Sequence, residues 1–235
     1  MSSPVDAADG PPGPPGPVDD GADDRTDDGI DSSRRRRLSL IGVWLLVAFG
    51  GVVTALEVGT WLFLRSLDVD RMWRAVGCTS EHPCRTAAGQ PVTGPIPAAG
   101  HLHLAGVALV AVVTVALVVA TERAVRRSPG RPVATHLALA ALVSSVLAVA
   151  VQADRLHGLP FNRFDGAYST TYFFFMASNL TLLSTMAVLL FGLWNRARLG
   201  RYDDGDPFPV RLVRIPTVGA AAAVCTLVVV ASVFS

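Results

Sequence analysis

Five apolar runs, at about 38–64, 101–121, 133–151, 171–194 and 215–234, alternate with polar segments in which arginine is the recurring cation. Each run is close to the ~20 residues that a helix rising 1.5 Å per residue needs to cross ~30 Å of hydrocarbon. The pattern predicts an all-α fold, a polytopic transmembrane helical bundle of about five spans. In it, 38–195 forms a four-helix core and 215–235 a fifth helix. Pro216 and a Gly/Ala-rich start weaken that last helix.

The polar segments predict organisation and orientation. Residues 1–37 form an acidic, Pro/Gly-rich tail in which Gly10-Pro11-Pro12-Gly13-Pro14-Pro15-Gly16-Pro17 lies among Asp19, Asp20, Asp23, Asp24, Asp27, Asp28 and Asp31. With almost nothing to bury, such a tail is expected to be disordered. It ends in Arg34–Arg37 against the first apolar run, a cluster that the positive-inside rule places in the cytoplasm. Arg123, Arg126, Arg127 and Arg131 follow the second run, and Arg196, Arg198, Arg201, Arg211 and Arg214 fill 196–214. The alternate loops are sparser, with Arg65, Arg71, Arg74 and Arg85 spread around the long loop 66–100, and Arg155 and Arg163 after the third run. The N-terminus is then cytoplasmic and the C-terminus extracytoplasmic. Trp44 and Trp61 lie towards the two ends of the first run, as interface anchors do.

Composition narrows the class. The chain is 51% hydrophobic with a formal net charge of +1, an average over an acidic tail and basic loops that implies no nucleic-acid partner. It contains no lysine and is rich in Ala, Val, Leu, Gly and Pro, the usage of a GC-rich bacterial genome and hence a bacterial cell (inner) membrane. The partners this predicts are the bilayer, a lipid-soluble small molecule and a second membrane protein. No phosphate-binding loop, nucleophile elbow or His-Glu-x-x-His is present.

Two of the three cysteines, Cys78 and Cys84, lie in loop 66–100 within Gly77-Cys78-Thr79-Ser80-Glu81-His82-Pro83-Cys84. In the orientation above they face an oxidising compartment, where disulfides persist. Five intervening residues, one of them Pro83, allow the Cα separation a disulfide requires. Three roles stay open: a loop staple, a redox-active pair, or metal ligands together with His82. No metal site is assigned.

A long first helix, an outside loop with two cysteines and the element Gly94-Pro95-Ile96-Pro97-Ala98-Ala99-Gly100 opening the second helix resemble the vitamin K epoxide reductase family and its bacterial disulfide-forming relatives. The resemblance covers about 38–194. It implies a four-helix bundle and a quinone as cofactor. That family's catalytic Cys-x-x-Cys, at the outer end of the fourth helix, has no counterpart in Gly166-Ala167-Tyr168-Ser169-Thr170-Thr171-Tyr172-Phe173. Without that thiolate the family's thiol oxidation cannot run.

Glu57 is the one acidic residue inside the apolar runs as drawn, eight residues before Arg65. That places it about 12 Å along the helix from the loop end. An ionisable group at such depth usually faces the bundle interior and marks a site. His103, Asp154, His157, Tyr168, Tyr172 and Asn179 fall at comparable levels of neighbouring runs and are the candidate ligand-binding residues, with Phe173, Phe174 and Phe175 as an apolar wall. Gly50, Gly51, Gly59, Ser144, Ser145, Ser178 and Ser184 are expected at close helix–helix contacts.

These features predict a membrane protein that binds a quinone-like or isoprenoid ligand in the outer half of the bundle. Two alternatives are a non-catalytic membrane subunit or scaffold, and an acid–base enzyme, cyclase- or isomerase-like, that uses Glu57. For the cysteine loop, a membrane-impermeant maleimide on intact cells should label Cys78 and Cys84 only after reduction. Free labelling of both without reductant excludes the external disulfide.

Overall fold

The computed structural model describes residues 24–67, 84–85, 91–92, 101–128, 132–159, 161, 163, 167–202 and 204–233. Their elements are α1 (Asp24–Ser66), β1 (Cys84–Arg85), β2 (Pro91–Val92), α2 (His101–Arg127), α3 (Val133–His157), α4 (Ala167–Arg198) and α5 (Phe208–Val233). All five helices are long and apolar enough to cross a membrane. The protein is an all-α, multi-pass membrane protein, as its apolar runs predict. The two-residue strands pair antiparallel, Cys84 opposite Val92 and Arg85 opposite Pro91. Residues 1–23, Cys78, the side chain of Cys84 and the element 94–100 lie outside the described residues.

The chain divides into two units, Met1–Ser39 and Leu40–Ser235. In the first, α1 reaches back to Asp24, well ahead of Leu38, and Arg34–Arg37 are exposed on it. Acidic residues suit the positive end of a helix dipole, which apolarity alone does not reveal.

In the second unit the helices outrun the apolar runs because backbone hydrogen bonding continues past the hydrocarbon. α5 starts at Phe208, whose N–H donates to Asp206 Oδ1 (2.9 Å), and continues through Pro216 rather than being broken by it. The α4–α5 turn closes α4 with a Schellman pattern: Arg201 N–H donates to Arg196 O (3.1 Å) and Gly200 N–H to Ala197 O (3.2 Å). Gly200 adopts φ 69°, the left-handed conformation that favours glycine. Beside it, burial pushes the Tyr202 phenol up to about 12, so it stays neutral at physiological pH.

α2 packs on α3 and α5, and α4 packs on α3 and α5, which closes a four-helix ring. The expected four-helix core exists, but it is α2–α5 rather than the first four spans. The peripheral helix is α1. Only 6% of the apolar window of α1 is buried, against 50% for α5.

With lipid outside as apolar as the helices, packing and interhelical polar contacts carry the association. Thr114 and Ser144 hydroxyls meet at 2.9 Å between α2 and α3. Ser145 donates to Leu183 O (3.4 Å) and Gln152 Nε2 to Met176 O (3.4 Å) between α3 and α4. Thr135 donates to Ala197 O (3.3 Å), tying the start of α3 to the end of α4.

The strongest contact is ionic. Glu122, with 4% of its side chain exposed, is bound by Arg126 (2.5 Å) on its own helix and by Arg214 (2.6 Å) and Arg211 (3.7 Å) on α5. Removing one partner of a buried pair costs about 3–5 kcal/mol, less where the cations keep part of their hydration. Here the arginines are a third to a half exposed. Glu122→Ala is therefore expected to lower stability by about 2 kcal/mol, read as a lower midpoint of denaturant unfolding in detergent. An exposed-charge control such as Arg127→Gln should leave the midpoint within ~0.5 kcal/mol.

Candidate functional site

One face of α1 turns to the ring. Thr54, Glu57 and Trp61 are buried, and Val43, Val47, Gly50, Val58 and Leu64 are half-buried, spaced three or four residues apart. The opposite face, with Trp44 58%, Leu45 65% and Leu56 66% exposed, is left for lipid.

Two contacts seat α1. At the loop-66–100 end, Trp61 is fully buried, stacked on Phe175 (centroids 4.8 Å) and edge-on to Tyr168 (5.8 Å), with Phe161 and Tyr172 completing the cluster. Trp61 is thus a packing residue rather than an interface anchor. At the other end Val47 lies against Gly219 of α5, where an added Cβ would be 3.1 Å from Val47 Cγ1. Neither the tryptophan's burial nor this close approach follows from the apolar pattern.

Between the two seats α1 stands off and leaves a cavity of ≈ 700 Å³ against α4 and α5. Gly50 and Gly51 line it, and an added Cβ at either, or at Gly59, would meet nothing within 4 Å. Gly50 and Gly51 make room rather than contact, and Gly59 is exposed away from the cavity. The expected contacts are made by Ser144, Ser145 and Ser178 instead.

The cavity wall is almost entirely apolar in effect. Thr54, Thr181, Thr185 and Thr226 line it, but each hydroxyl donates to the carbonyl four residues back on its own helix, at 2.9 Å in every case. Among the lining side chains that leaves Glu57 and Ser178 as the polar pair. Ser178 donates to Glu57 Oε1 from α4, and Glu57 has no ion-pair partner among the described residues. Its second oxygen is the cavity's remaining uncommitted polar atom among these side chains.

The other sequence candidates do not join it. Asp154 and His157 are exposed at the end of α3, and His103 is half-buried on α2. Tyr168 and Tyr172 are buried in the aromatic cluster, and Asn179 is buried on α4 without lining the cavity. At the level of the expected polar pocket, Asp154 and Arg155 neighbour His103, and Arg155 meets Tyr172 at the edge of the aromatic cluster, while the cavity opens deeper, beside α1. Phe175 is buried there, Phe173 half-buried and Phe174 exposed, so they form no common wall. Glu122 lies one residue past the apolar run that ends at Thr121, so hydropathy does not single it out, and Ser178 carries only the signal of a small packing residue. No family model matches the chain, and neither does any curated protein or solved structure compared with it.

The seating of α1 has a direct check. The Cβ positions of residues 47 and 219 are 3.7 Å apart, inside the ~3.5–4.5 Å range of disulfides. The pair Val47→Cys/Gly219→Cys should therefore cross-link readily with mild oxidant in membranes. Adding Trp61→Ala should slow cross-linking severalfold by releasing the other seat. No cross-link in the double-cysteine protein contradicts this placement of α1.

Proposed function

We propose that the protein binds a lipid-soluble molecule with one polar head and an apolar body, quinone-like or isoprenoid, in the α1/α4/α5 cavity. It acts in a bacterial cell membrane, with the N-terminus in the cytoplasm as the arginine bias of its loops suggests. One observation carries the reading. A cavity of ≈ 700 Å³, within the ~300–1,000 Å³ of ligand sites, places a single carboxylate–hydroxyl pair near one end of an otherwise apolar wall. Along α1 the lining runs from Leu46 to Val58, about 18 Å at 1.5 Å per residue. An elongated ligand fits that length, with its head at Glu57.

The pair suits either oxidation level of a quinone. Ser178 is already committed as a donor, so the ligand's hydrogen bond falls to the second oxygen of Glu57. A protonated Glu57 donates to a carbonyl, and an ionised one accepts from a hydroxyl. The resemblance to the vitamin K epoxide reductase family supports a quinone within the isoprenoid class, but this chain lacks that family's reacting cysteine pair in the fourth helix. The absence of a cation near Glu57 among the described residues also suits an acid–base role on a lipidic substrate.

The full-length protein, purified in mild detergent, should carry a prenyl lipid enriched over the bulk extract by mass spectrometry. Gly50 lines the cavity and an added Cβ there meets nothing within 4 Å, so Gly50→Phe should occupy the space and abolish the enrichment. Glu57→Gln keeps a donor and an acceptor, so binding should hold within a few-fold. Glu57→Leu should lose about tenfold, the scale of one hydrogen bond in an apolar site. Catalysis lost in Glu57→Gln with binding intact selects the acid–base reading. No enriched lipid, and no difference with Gly50→Phe, overturns the proposal.

A further inference from the structure

The described arginines near the α2–α3 connection and the start of α5 fall into two groups. Arg126, Arg211 and Arg214 are bound to Glu122. Arg123 and Arg127 have no acidic partner among the described residues, and both are exposed. They are four residues apart, so they stand one above the other on the same face of α2.

That face is shaped. Ala120, Arg123, Ala124 and Arg127, with Ser128 and with Val133 at the start of α3, line a second cavity of ≈ 290 Å³. Ala120 and Ala124 are small enough to leave a hollow between the two guanidinium stems, and both alanines and Ser128 are half-buried. The cavity lies where α2 leaves its apolar stretch, at the depth of a bilayer headgroup. It therefore combines two arginines with no acidic partner among the described residues, a serine hydroxyl and a small apolar floor.

We infer that this hollow binds a phosphate group, held by the guanidinium forks of Arg123 and Arg127 with the Ser128 hydroxyl as an added donor. Guanidinium matches phosphate oxygens in paired, charge-assisted hydrogen bonds, and a basic pocket between transmembrane helices is a fitting receptor for a lipid headgroup. The volume admits a headgroup, while the alanine floor continues onto the lipid-facing surface of α2. This site is separate from the Glu57 cavity and does not depend on how that cavity is used.

The full-length protein in detergent is titrated with phosphatidylglycerol, with phosphatidylcholine and, separately, with inorganic phosphate, and bound species are counted by native mass spectrometry. Phosphatidylglycerol should be retained in preference to phosphatidylcholine. Arg123→Gln/Arg127→Gln should reduce that preference roughly 30-fold, about fivefold for each arginine. Arg196→Gln/Arg201→Gln removes the same charge from the same end of the ring and should change it less than threefold. Saturable phosphate binding without lipid preference, lost only in the first double variant, assigns the site to a soluble phosphate. Equal losses in both double variants, or no preference and no phosphate binding in the parent, overturn it.

Discussion

Glu122 with its three arginines is the contact on which the arrangement of this protein rests. Inside a bilayer, hydrophobic burial does not distinguish a helix neighbour from lipid, so a few polar contacts decide which helices meet. Arg211 and Arg214 bring the start of α5 onto α2, and with α4 also against α5 the ring of four closes. Closing the ring with α5 is what leaves α1 outside it. It also sets Gly219, Ala220, Ala222 and Ala223 of α5 beside Ser178, Thr181 and Thr185 of α4, as the small-residue groove that α1 covers. The charge cluster at one end thus determines where the cavity forms.

Two buried glutamates in one bundle have opposite circumstances. Glu122 lies near a helix end and has its charge met by three arginines. Glu57 lies deeper, meets one serine and faces open space. A carboxyl group without a cation in an apolar setting is costly, and a packing role would be met by a neutral side chain at lower cost. That contrast, rather than depth alone, makes Glu122 a joint and Glu57 the residue on which the proposed ligand site rests.

The number of candidate spans and the helical class were legible in the sequence, because length and hydropathy follow from the thickness of hydrocarbon. The partition of the helices was not. Apolar runs that contact lipid and apolar runs that contact protein have the same composition, so nothing in 38–64 marks α1 as peripheral. The polar residues Glu57, His103, Asp154, His157, Tyr168, Tyr172 and Asn179 gather only in part, for a related reason: Asp154 and Arg155 neighbour His103, and Arg155 meets Tyr172, while Glu57 lies apart in the cavity. Depth along each helix can be read from position, but azimuth depends on which helices are neighbours. Trp61 and the tyrosines pack together, and of these candidates only Glu57 lines the cavity.

The glycines show how the same residue acquires opposite meanings. Gly219 lies against Val47 and permits close approach, the usual role of a small residue between membrane helices. Gly50 and Gly51, on the helix that makes that contact, face nothing within 4 Å. A helix held at both ends and carrying glycine in between must bridge whatever lies beneath it. The seats at Trp61 and Val47 therefore require one another: without either, α1 could settle into the groove or leave it. With both, it roofs a volume that the ring of α2–α5 does not itself enclose.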